Sequence, residues 1–347
     1  MKRLSLFFLV LLICACESDE DKAGRFFLMG NNALNEGNFG EAVRLYTEAI
    51  GKSPKMVDAW NNRGVAYYKD KKYVLAINDY THAIKQIDAY YMEAWRNRLD
   101  ARYAAGLYGE AMADVDFLSD AYPDSAWVHF KAGLVLVGMK DYRRAVNAFR
   151  MSVNLDSGNV EALINYANAY YLYGTTRGGV YFNQAEDNLV LAEALDPSQP
   201  NIYNTRALMN IYTKTYDEAL VQVNKAIALD RNNPYFNNNR GFIYLMTDEL
   251  DKAEQDINLA IKGDPQNAWA YRNRGILFSM KDDPEAAARN FKQAALYDDS
   301  IPLLNYYWGA ALLKLGNTTE GCEKLRISVD AFENEGRGLF EGNCGAI

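Results

Sequence analysis

The sequence of 347 residues has few of the residues on which catalytic and metal sites depend. It contains only two histidines, His82 and His129, which belong to different repeating segments. No spacing typical of a metal site, no glycine-rich phosphate loop and no nucleophile elbow is present in the sequence. Paired acids such as Asp282–Asp283 lie where turns are expected, and helix caps and solvated surface account for them. The sequence therefore predicts a protein that is not an enzyme and binds no cofactor or metal.

Proline and basic charge are also scarce. There are 8 prolines, and no segment of the sequence alternates strictly between apolar and polar residues, which predicts an all-α fold. The 37 Lys and Arg residues are outnumbered by 45 Asp and Glu, which gives a formal net charge of −8. An acidic protein is a poor partner for nucleic acid and for anionic surfaces, so no nucleic-acid partner is expected.

Only one long apolar run is present, Leu4–Ile13, which follows a basic N-terminus. It is too short for a transmembrane helix of about 20 residues and is typical of a secretory signal. Residues 13–16, Ile-Cys-Ala-Cys, resemble the bacterial lipobox. The resemblance implies a lipoprotein signal peptide over residues 1–15 and acylation of Cys16, with a secretory peptide cleaved near Ala15 as the alternative.

An acidic segment, residues 16–22, follows the predicted cleavage site, and we interpret it as a tether. It is either a solvated spacer or an export signal, since it resembles the acidic segment of some Gram-negative lipoproteins that reach the cell surface. Both alternatives predict a bacterial envelope protein with a lipid anchor in the outer membrane, on the periplasmic face or at the cell surface.

Repetition is the most informative feature of the chain. Small residues recur every 34 to 40 positions, with Leu99 as the one bulky exception, in the series Gly30, Gly64, Leu99, Gly133, Ala167, Ala207, Gly241, Gly275 and Gly309. A second small-residue series runs in phase from Ala42 to Gly321. Small residues on both helices of a pair allow close packing, and this period is typical of stacked repeats.

Residues 57–90 carry the clearest copy of the repeat, with Trp60, Gly64, Tyr67, Tyr73, Ala76, Tyr80 and Ala83 at the offsets of the tetratricopeptide repeat. Residues 23–335 resemble that family. The resemblance implies an all-α, right-handed superhelical solenoid of about nine helix-turn-helix repeats. Repeats one to nine are predicted at 23–56, 57–91, 92–125, 126–159, 160–199, 200–233, 234–267, 268–301 and 302–335, with a C-terminal cap or tail at 336–347. The 40-residue interval in repeat five is interpreted as a tolerated lengthening of the loop at residues 174–180, with a projection that contacts a partner as the alternative.

One polar position in the repeats is assigned to the scaffold. Five repeats have an arginine just before the first small residue and an acid or amide sixteen positions later: Arg63 and Asp79, Arg98 and Asp114, Arg206 and Gln222, Arg240 and Asp256, and Arg274 and Asn290. In repeat nine these positions hold Trp308 and Lys324. The matched variation predicts that the two positions contact each other within a helix pair.

The position before that arginine is assigned a role in ligand binding. It is asparagine in five repeats, namely Asn62, Asn97, Asn165, Asn239 and Asn273, although asparagine is a poor helix former. In tetratricopeptide solenoids the position faces the concave groove, and the series resembles the asparagine ladder with which some members hold an extended peptide. A carboxamide offers donors and an acceptor that match any peptide unit. The alternative is that these amides bond to one another or to solvent.

Aromatic and basic residues are predicted in the same groove. The aromatic candidates, for which a place in the core is the alternative, are Tyr68, Tyr103, Trp127, Tyr171, Tyr235 and Trp269. Two arginines join them. Arg96 has acids within one helical turn, including Asp100, which predicts local neutralisation. Arg272 has none and is expected to anchor a ligand carboxylate.

Cys322 and Cys344 are the cysteines that remain downstream of the predicted signal. In an envelope compartment they are candidates for a disulfide, provided that their Cα atoms lie within about 7 Å. Such a bridge would attach the tail to the last repeat, and two unpaired thiols are the alternative.

These observations predict a membrane-anchored, non-catalytic scaffold that binds extended segments of partner envelope proteins. The alternatives are a lipoprotein that binds a surface glycan or small molecule, with aromatic rings stacked on sugars, and a self-assembling structural spacer. Ligand contacts are expected first in repeats two, three, seven and eight.

Overall fold

The computed structural model describes residues 18–331 and 334–345, which form helices and no strand. In chain order the helices are α1 (Asp19–Asn35), α2 (Phe39–Lys52), α3 (Val57–Lys69), α4 (Tyr73–His82), α5 (Met92–Ala104), α6 (Tyr108–Ala121), α7 (Ala126–Gly138), α8 (Tyr142–Leu155), α9 (Val160–Thr175), α10 (Phe182–Leu195), α11 (Pro200–Tyr212), α12 (Tyr216–Leu229), α13 (Pro234–Met246), α14 (Leu250–Gly263), α15 (Ala268–Met280), α16 (Pro284–Tyr297), α17 (Leu304–Lys314), α18 (Thr318–Asp330) and α19 (Asn334–Cys344). The predicted all-α fold is confirmed.

The chain divides into two compact units, residues 1–156 and residues 157–347. In the described residues, unit 1 contains α1–α8 and unit 2 contains α9–α19. Within each unit, the two helices of every repeat pack against each other, and the second helix packs against the first helix of the next repeat. Each repeat therefore buries its apolar face against its neighbours in the chain, as stacked repeats require.

The small residues of the first series make room for a large side chain from the second helix of the same repeat. A Cβ atom at Gly64 would lie 2.5 Å from the ring of Tyr80, and one at Gly133 would lie 2.6 Å from that of Phe149. Leu99 is the bulky exception in this series. Its partner position on the second helix holds Val115, which is smaller than Tyr80 or Phe149, and both residues are buried in one cluster. In repeat three, a larger residue at the first position is thus accompanied by a smaller one at the second.

Two irregular intervals in the repeat have distinct structural causes. Repeat two is one residue longer than the usual period, and Ala83–Ile87 form a π-helical turn at the end of α4. A π turn accommodates one added residue inside a helix. In repeat five, α9 has 16 residues where α3 has 13, and a longer loop precedes Phe182. The predicted loop insertion is therefore shared between the helix and the loop.

The N-terminal boundary differs from the predicted tether. Cys16 and the signal peptide lie outside the described residues, but α1 begins at Asp19 instead of residue 23. The Ser18 hydroxyl accepts a hydrogen bond from the Asp21 N–H at 3.0 Å, and the Asp21 carboxylate accepts one from the Ser18 N–H at 3.2 Å. Acidic residues in a first turn are stabilised by the helix dipole, which explains why this segment is helical. Of the helices in the described residues, none is long and apolar enough to cross a membrane.

The C-terminal segment forms a helix that closes the last repeat. Helix α19 packs on α18, and Phe340 on it is buried. Cys322 and Cys344 are joined in a disulfide, with their Cα atoms 5.6 Å apart. The structure thus places the bridge where the sequence offered it as a candidate, at an end where no further repeat follows in the described chain.

Candidate functional site

The recurrent arginines bind within their own helix pairs in four of the five predicted cases. Arg98 donates to Asp114 through two nitrogens at 3.2 and 2.7 Å, and both side chains are buried. The same bidentate bond joins Arg63 to Asp79 and Arg240 to Asp256, while Arg274 donates to Asn290 at 2.6 Å. These arginines therefore stabilise the scaffold, as predicted.

Repeat six is the case in which the prediction is wrong. Arg206 makes no hydrogen bond to Oε1 of Gln222 but donates to Glu186 and Glu193 of the preceding repeat, at 2.9 and 2.6 Å. Two carboxylates attract a guanidinium more strongly than one neutral amide. Gln222 is left with a buried Oε1 that has no hydrogen-bond partner among the described residues.

In unit 2, two ladder asparagines bond to asparagines of the preceding repeat. Nδ2 of Asn239 donates to Oδ1 of Asn204, and Nδ2 of Asn273 donates to Oδ1 of Asn238, each at 2.8 Å. In both cases the acceptor lies 35 residues earlier, one position before the ladder position of its own repeat. The ladder amides are therefore held in fixed orientations across neighbouring first helices.

Unit 1 contains the same kind of bond. Nδ2 of Asn97 donates to Oδ1 of Asn61 at 2.9 Å, and Nδ2 of Asn62 donates to Oδ1 of Asn31 at 3.0 Å. Part of the alternative interpretation, that the amides bond to one another, thus holds in both units. The acceptors were not predicted from the sequence, although adjacent asparagine pairs such as Asn61-Asn62 were a visible signal.

The ladder is interrupted in repeats five and six. Asn165 donates to the backbone carbonyl of Glu161 in its own helix at 2.9 Å, and Thr205 donates to that of Asn201 at the same distance. Side chains that bond to their own helix backbone are not directed towards a neighbouring repeat. The inter-repeat amide bonds of unit 2 are therefore those of repeats seven and eight.

A pocket of about 630 Å³ lies in unit 2, along the first helices of repeats five to eight. We call it the asparagine pocket. Its polar lining residues include Asn168, Asn201, Asn204, Asn233, Asn238, Asn239 and Asn273. Its aromatic lining residues are Tyr171, Tyr212, Tyr235, Phe236, Phe242 and Trp269. Leu172, Leu208, Ile211, Leu303 and Arg272 complete the lining.

The aromatic residues at the pocket offer both contact area and neutral hydroxyl groups. Tyr235 and Trp269 are 54% and 41% exposed, so both are accessible to a ligand. The Tyr235 hydroxyl donates to Asp264 at 3.3 Å. Burial, with a smaller contribution from Tyr212, raises the pKa of Tyr171 to about 12. The Tyr171 phenol therefore remains uncharged at neutral pH.

Arg272, the predicted carboxylate anchor, is engaged by the protein itself. It is 7% exposed and donates to Oδ1 of Asn273 at 3.2 and 2.9 Å and to the carbonyl of Pro302 at 3.1 Å. Its guanidinium also lies 4.7 Å from the ring centroid of Trp269. No other residue lining the pocket carries a charge. The pocket therefore presents amides and rings rather than an open cationic group.

Six of the predicted groove residues line the asparagine pocket: Tyr171, Tyr235, Asn239, Trp269, Arg272 and Asn273. Seven do not: Asn62, Tyr68, Arg96, Asn97, Tyr103, Trp127 and Asn165. The expected repeats seven and eight thus contribute, and repeats five and six contribute as well. Repeats two and three belong to unit 1 and do not line this pocket.

Arg96 and its neighbours in unit 1 form a charged group instead. The Arg96 guanidinium lies 4.4 Å from the ring centroid of Trp127. Asp100, predicted to neutralise Arg96, forms an ion pair with Lys131 at 2.8 Å. Lys131 occupies the ladder position of repeat four, where an ammonium group replaces the amide. The charged partner was therefore on the next repeat, beyond the reach of helical spacing arguments.

The described residues contain no group of three His, Cys, Asp or Glu side chains able to hold a metal ion. The pocket of unit 2 is lined mainly by amides, aromatic rings and aliphatic side chains.

Two segments of the chain, residues 27–91 and 223–255, match family models described as tetratricopeptide repeat. Human DnaJ homolog subfamily C member 7 is 36% identical over 91 residues, which cover 25% of this chain and 18% of that protein. Small glutamine-rich tetratricopeptide repeat-containing protein 2 of Saccharomyces cerevisiae is 30% identical over 135 residues, 39% of this chain and 36% of that one. Serine/threonine-protein phosphatase T of Aspergillus oryzae is 32% identical over 108 residues, 31% of this chain and 22% of that one. These matches span less than two fifths of each relative.

Solved structures resemble the chain over a greater length. A chain of the APC/C hetero-tetramer Cut9–Hcn1 has a TM-score of 0.63 at 15% identity, covering 94% of this chain and 77% of that one. The human IFIT1 dimer with m7Gppp-AAAA has a TM-score of 0.56 at 16% identity, covering 79% and 68%. At these identities the likeness shows the fold alone.

Proposed function

Because this chain is a tetratricopeptide repeat protein, we propose that it is a non-catalytic scaffold that binds extended peptide segments of partner proteins in the asparagine pocket. Tetratricopeptide repeats are protein-interaction modules, and the phosphatase relatives match through their repeat region. The observation that carries the proposal is the pocket itself, in which amides from successive repeats line a cavity with exposed aromatic rings.

The oriented amides match a peptide backbone. Asn239 uses one N–H to bond to Asn204, and its Oδ1 makes no hydrogen bond within residues 18–331 and 334–345. That oxygen is available to accept a backbone N–H of a ligand, and the second N–H of the same amide is available to donate to a ligand carbonyl. The interaction depends on the peptide unit and not on the ligand's side chain.

The charge of the lining selects among peptides. Arg272 is the single charged side chain and is already bonded to Asn273 and Pro302. A buried carboxylate without an available cationic partner is strongly disfavoured. The proposed ligand is therefore a segment with uncharged, apolar or aromatic side chains. It replaces the ligand with a carboxylate that the sequence led us to expect at Arg272.

We further propose that the protein acts in a bacterial envelope, anchored by an acylated Cys16. Two observations support this location. The N-terminal sequence has the order of a secretory signal followed by a lipobox-like segment. The disulfide between Cys322 and Cys344 is of the kind that persists in oxidising compartments.

A neutral glycan is the second candidate ligand, favoured by the exposed rings of Trp269 and Tyr235 beside the amides. Sugar hydroxyl groups bond to carboxamides, and sugar rings present apolar faces to aromatic residues. The two ligand classes leave different chemical products when they are crosslinked to the pocket, so one experiment separates them.

The test places a photoreactive phenylalanine analogue at Trp269 and, as a matched control, at Tyr103. Both sites are similarly exposed, at 41% and 36%, but Tyr103 belongs to unit 1. We expect irradiation in the native envelope to crosslink the Trp269 derivative to a peptide segment of a partner protein. A synthetic peptide with the sequence of that segment should then bind to the purified protein. A sugar adduct at Trp269 would support the glycan instead. Equal peptide labelling from Tyr103 would contradict the assignment to the pocket.

A further inference from the structure

Repeat nine departs from the arginine pattern at three positions that contact one another in other repeats. In repeat seven, Arg240 bonds to Asp256 and also donates to Oδ1 of Asn224 at 2.9 Å. Asn224 lies sixteen residues earlier, on the second helix of the preceding repeat. Thr47 and Thr81 accept the corresponding bond in repeats two and three. The ordinary set is thus one cation, one anion and one neutral acceptor.

The same three positions in repeat nine hold Trp308, Lys324 and Lys292. The arginine is replaced by an indole, the aspartate by a lysine and the neutral acceptor by a second lysine. The formal charge of the set therefore changes from zero to +2. This gain of positive charge occurs in a chain whose net charge is −8.

The three residues line a cleft of about 590 Å³ together with Arg289, and we call it the basic cleft. Arg289 and Lys292 lie three residues apart on α16, a spacing that places both side chains on one helix face. The Lys324 Nζ lies 4.1 Å from the ring centroid of Trp308, which is itself buried. Trp308 thus forms an apolar floor with cationic groups around it.

These cations lack partners of opposite charge in the part of the chain that the structure describes. No ion pair joins Arg289, Lys292 or Lys324 to a carboxylate within residues 18–331 and 334–345. Asp299 is the one acid among the residues lining the cleft, whose formal charge is therefore +2. Like charges held close together repel, and a bound anion would relieve that repulsion.

We propose that the basic cleft binds a phosphate group. The guanidinium of Arg289 can donate two parallel hydrogen bonds to phosphate oxygens, and the two lysines supply point charges. The site shares no lining residue with the asparagine pocket, so it is an additional binding site and does not depend on the function proposed above. The phosphate comes either from a soluble compound or from a phospholipid headgroup.

The test titrates the full chain with inorganic pyrophosphate in a phosphate-free buffer, followed by calorimetry. The double variant Lys292→Gln and Lys324→Gln removes two cations from the cleft. The control variant Arg231→Gln and Lys262→Gln removes two exposed cations elsewhere in unit 2. We expect binding to weaken at least about tenfold in the first variant and to remain within about twofold in the second.

A second variant restores the set found in repeat seven, with Lys292→Asn, Trp308→Arg and Lys324→Asp. We expect it to fold, since the same three residue types pack in repeat seven, and to lose pyrophosphate binding. Thermal unfolding monitored by circular dichroism checks folding. Loss of binding in this folded variant would show that pyrophosphate binding depends on the side chains of the cleft and not merely on the presence of a ninth repeat.

Vesicles containing phosphatidic acid form the second arm and are compared with neutral phosphatidylcholine vesicles. Binding of both pyrophosphate and vesicles, or of pyrophosphate alone, supports a phosphate site open to soluble ligands. Binding of vesicles alone, lost in the Lys292→Gln and Lys324→Gln variant, assigns the phosphate to a headgroup. Binding of neither probe, or equal loss in the control variant, overturns the proposal.

Discussion

Units 1 and 2 carry the same amide bond in different surroundings. Asn97 donates to Asn61 in unit 1, and Asn239 donates to Asn204 in unit 2, at 2.9 and 2.8 Å. Each unit has a tryptophan beneath an arginine, Trp127 under Arg96 and Trp269 under Arg272. Lys131 also lies close to Trp127 in unit 1, whereas the other residues that line the pocket around Asn239 in unit 2 carry no charge. An inter-repeat asparagine bond is therefore a structural feature of the repeats, and only its surroundings make it a candidate ligand site.

The comparison also applies to the scaffold beneath the amides. The Arg98–Asp114 pair of unit 1 is almost fully buried, with side-chain exposures of 4% and 1%. The equivalent Arg240–Asp256 pair of unit 2 has exposures of 22% and 5%. Equivalent bonds are thus expected to contribute differently to stability, because solvent screens the second pair more than the first.

The largest expected effect follows from that difference in burial. Asp114→Ala leaves the buried guanidinium of Arg98 without its carboxylate partner. It also removes the ion pair of Arg102, whose Nη1 lies 2.7 Å from Oδ1 of Asp114. We expect the free energy of unfolding in urea to fall by about 3–5 kcal/mol. Asp256→Ala should cost less, about 2 kcal/mol, because Arg240 is more exposed and keeps Asn224.

Asp116→Ala on the same helix, at an exposed site, is the control and should change stability by less than about 0.5 kcal/mol. An equal cost for Asp114→Ala and Asp256→Ala would show that burial does not distinguish the two units in solution.

The next largest effect distinguishes the ladder positions themselves. Asn273 is 1% exposed, accepts two bonds from Arg272 and donates one to Asn238. Asn273→Ala should lower the free energy of unfolding by about 2–3 kcal/mol, because charged donors lose their acceptor. Asn97 lies at a half-buried site and makes one bond to a neutral amide, so Asn97→Ala should lower the free energy of unfolding by about 1 kcal/mol. If Asn97→Ala proved the more costly of the two, the assigned difference in surroundings would be wrong.

A smaller effect tests the exception in unit 2, where Arg206 bonds to Glu186 and Glu193. Glu193→Gln should cost about 1 kcal/mol, since it weakens a charge-assisted bond. Gln222→Leu should be neutral or stabilising, because the buried Oε1 has no partner in the described chain. A marked loss of stability in Gln222→Leu would indicate that Gln222 bonds to Arg206 after all.

A further effect, confined to alkaline solution, is a loss of stability that has a contribution from each unit. Burial raises the pKa of Tyr46 in unit 1 and of Tyr171 in unit 2 to about 12, from an ordinary value of 10.0. Between these values the unfolded chain loses the proton while the folded chain keeps it, so stability falls as the pH rises.

Urea unfolding measured at intervals from pH 9 to pH 12 tests this expectation. Tyr46→Phe and Tyr171→Phe should each reduce the pH dependence, because phenylalanine has no proton to lose. A stability that is independent of pH over that range would contradict the assigned burial of both phenols.

Regularity explains which features could be predicted from the sequence. The small-residue series identified the helix pairs, and the fixed offset of sixteen residues identified Arg98–Asp114 and its counterparts. Both depend on contacts within one repeat, where the geometry is the same each time. The exchange of Leu99 and Val115 also follows from local volume, although it was visible only when both positions were compared.

Contacts between repeats were harder to predict. Arg206 bonds backwards to repeat five, Asp100 bonds forwards to Lys131, and Arg272 bonds to the carbonyl of Pro302. Each depends on how neighbouring repeats are placed and on competition between charges, neither of which appears in the spacing of one repeat. For the same reason the sequence indicated the residue types of the groove but distributed them over both units, whereas one pocket in unit 2 gathers six of them.

The central claim, that ligand binding belongs to the amides of unit 2, is tested most directly by the matched variants Asn239→Ala and Asn97→Ala. Both remove an inter-repeat bond of nearly equal length. The measurement is the affinity, by fluorescence anisotropy, for the peptide identified by crosslinking at Trp269. We expect Asn239→Ala to weaken binding about tenfold or more and Asn97→Ala to leave it within about twofold. Equal losses, or a greater loss in Asn97→Ala, would contradict the claim.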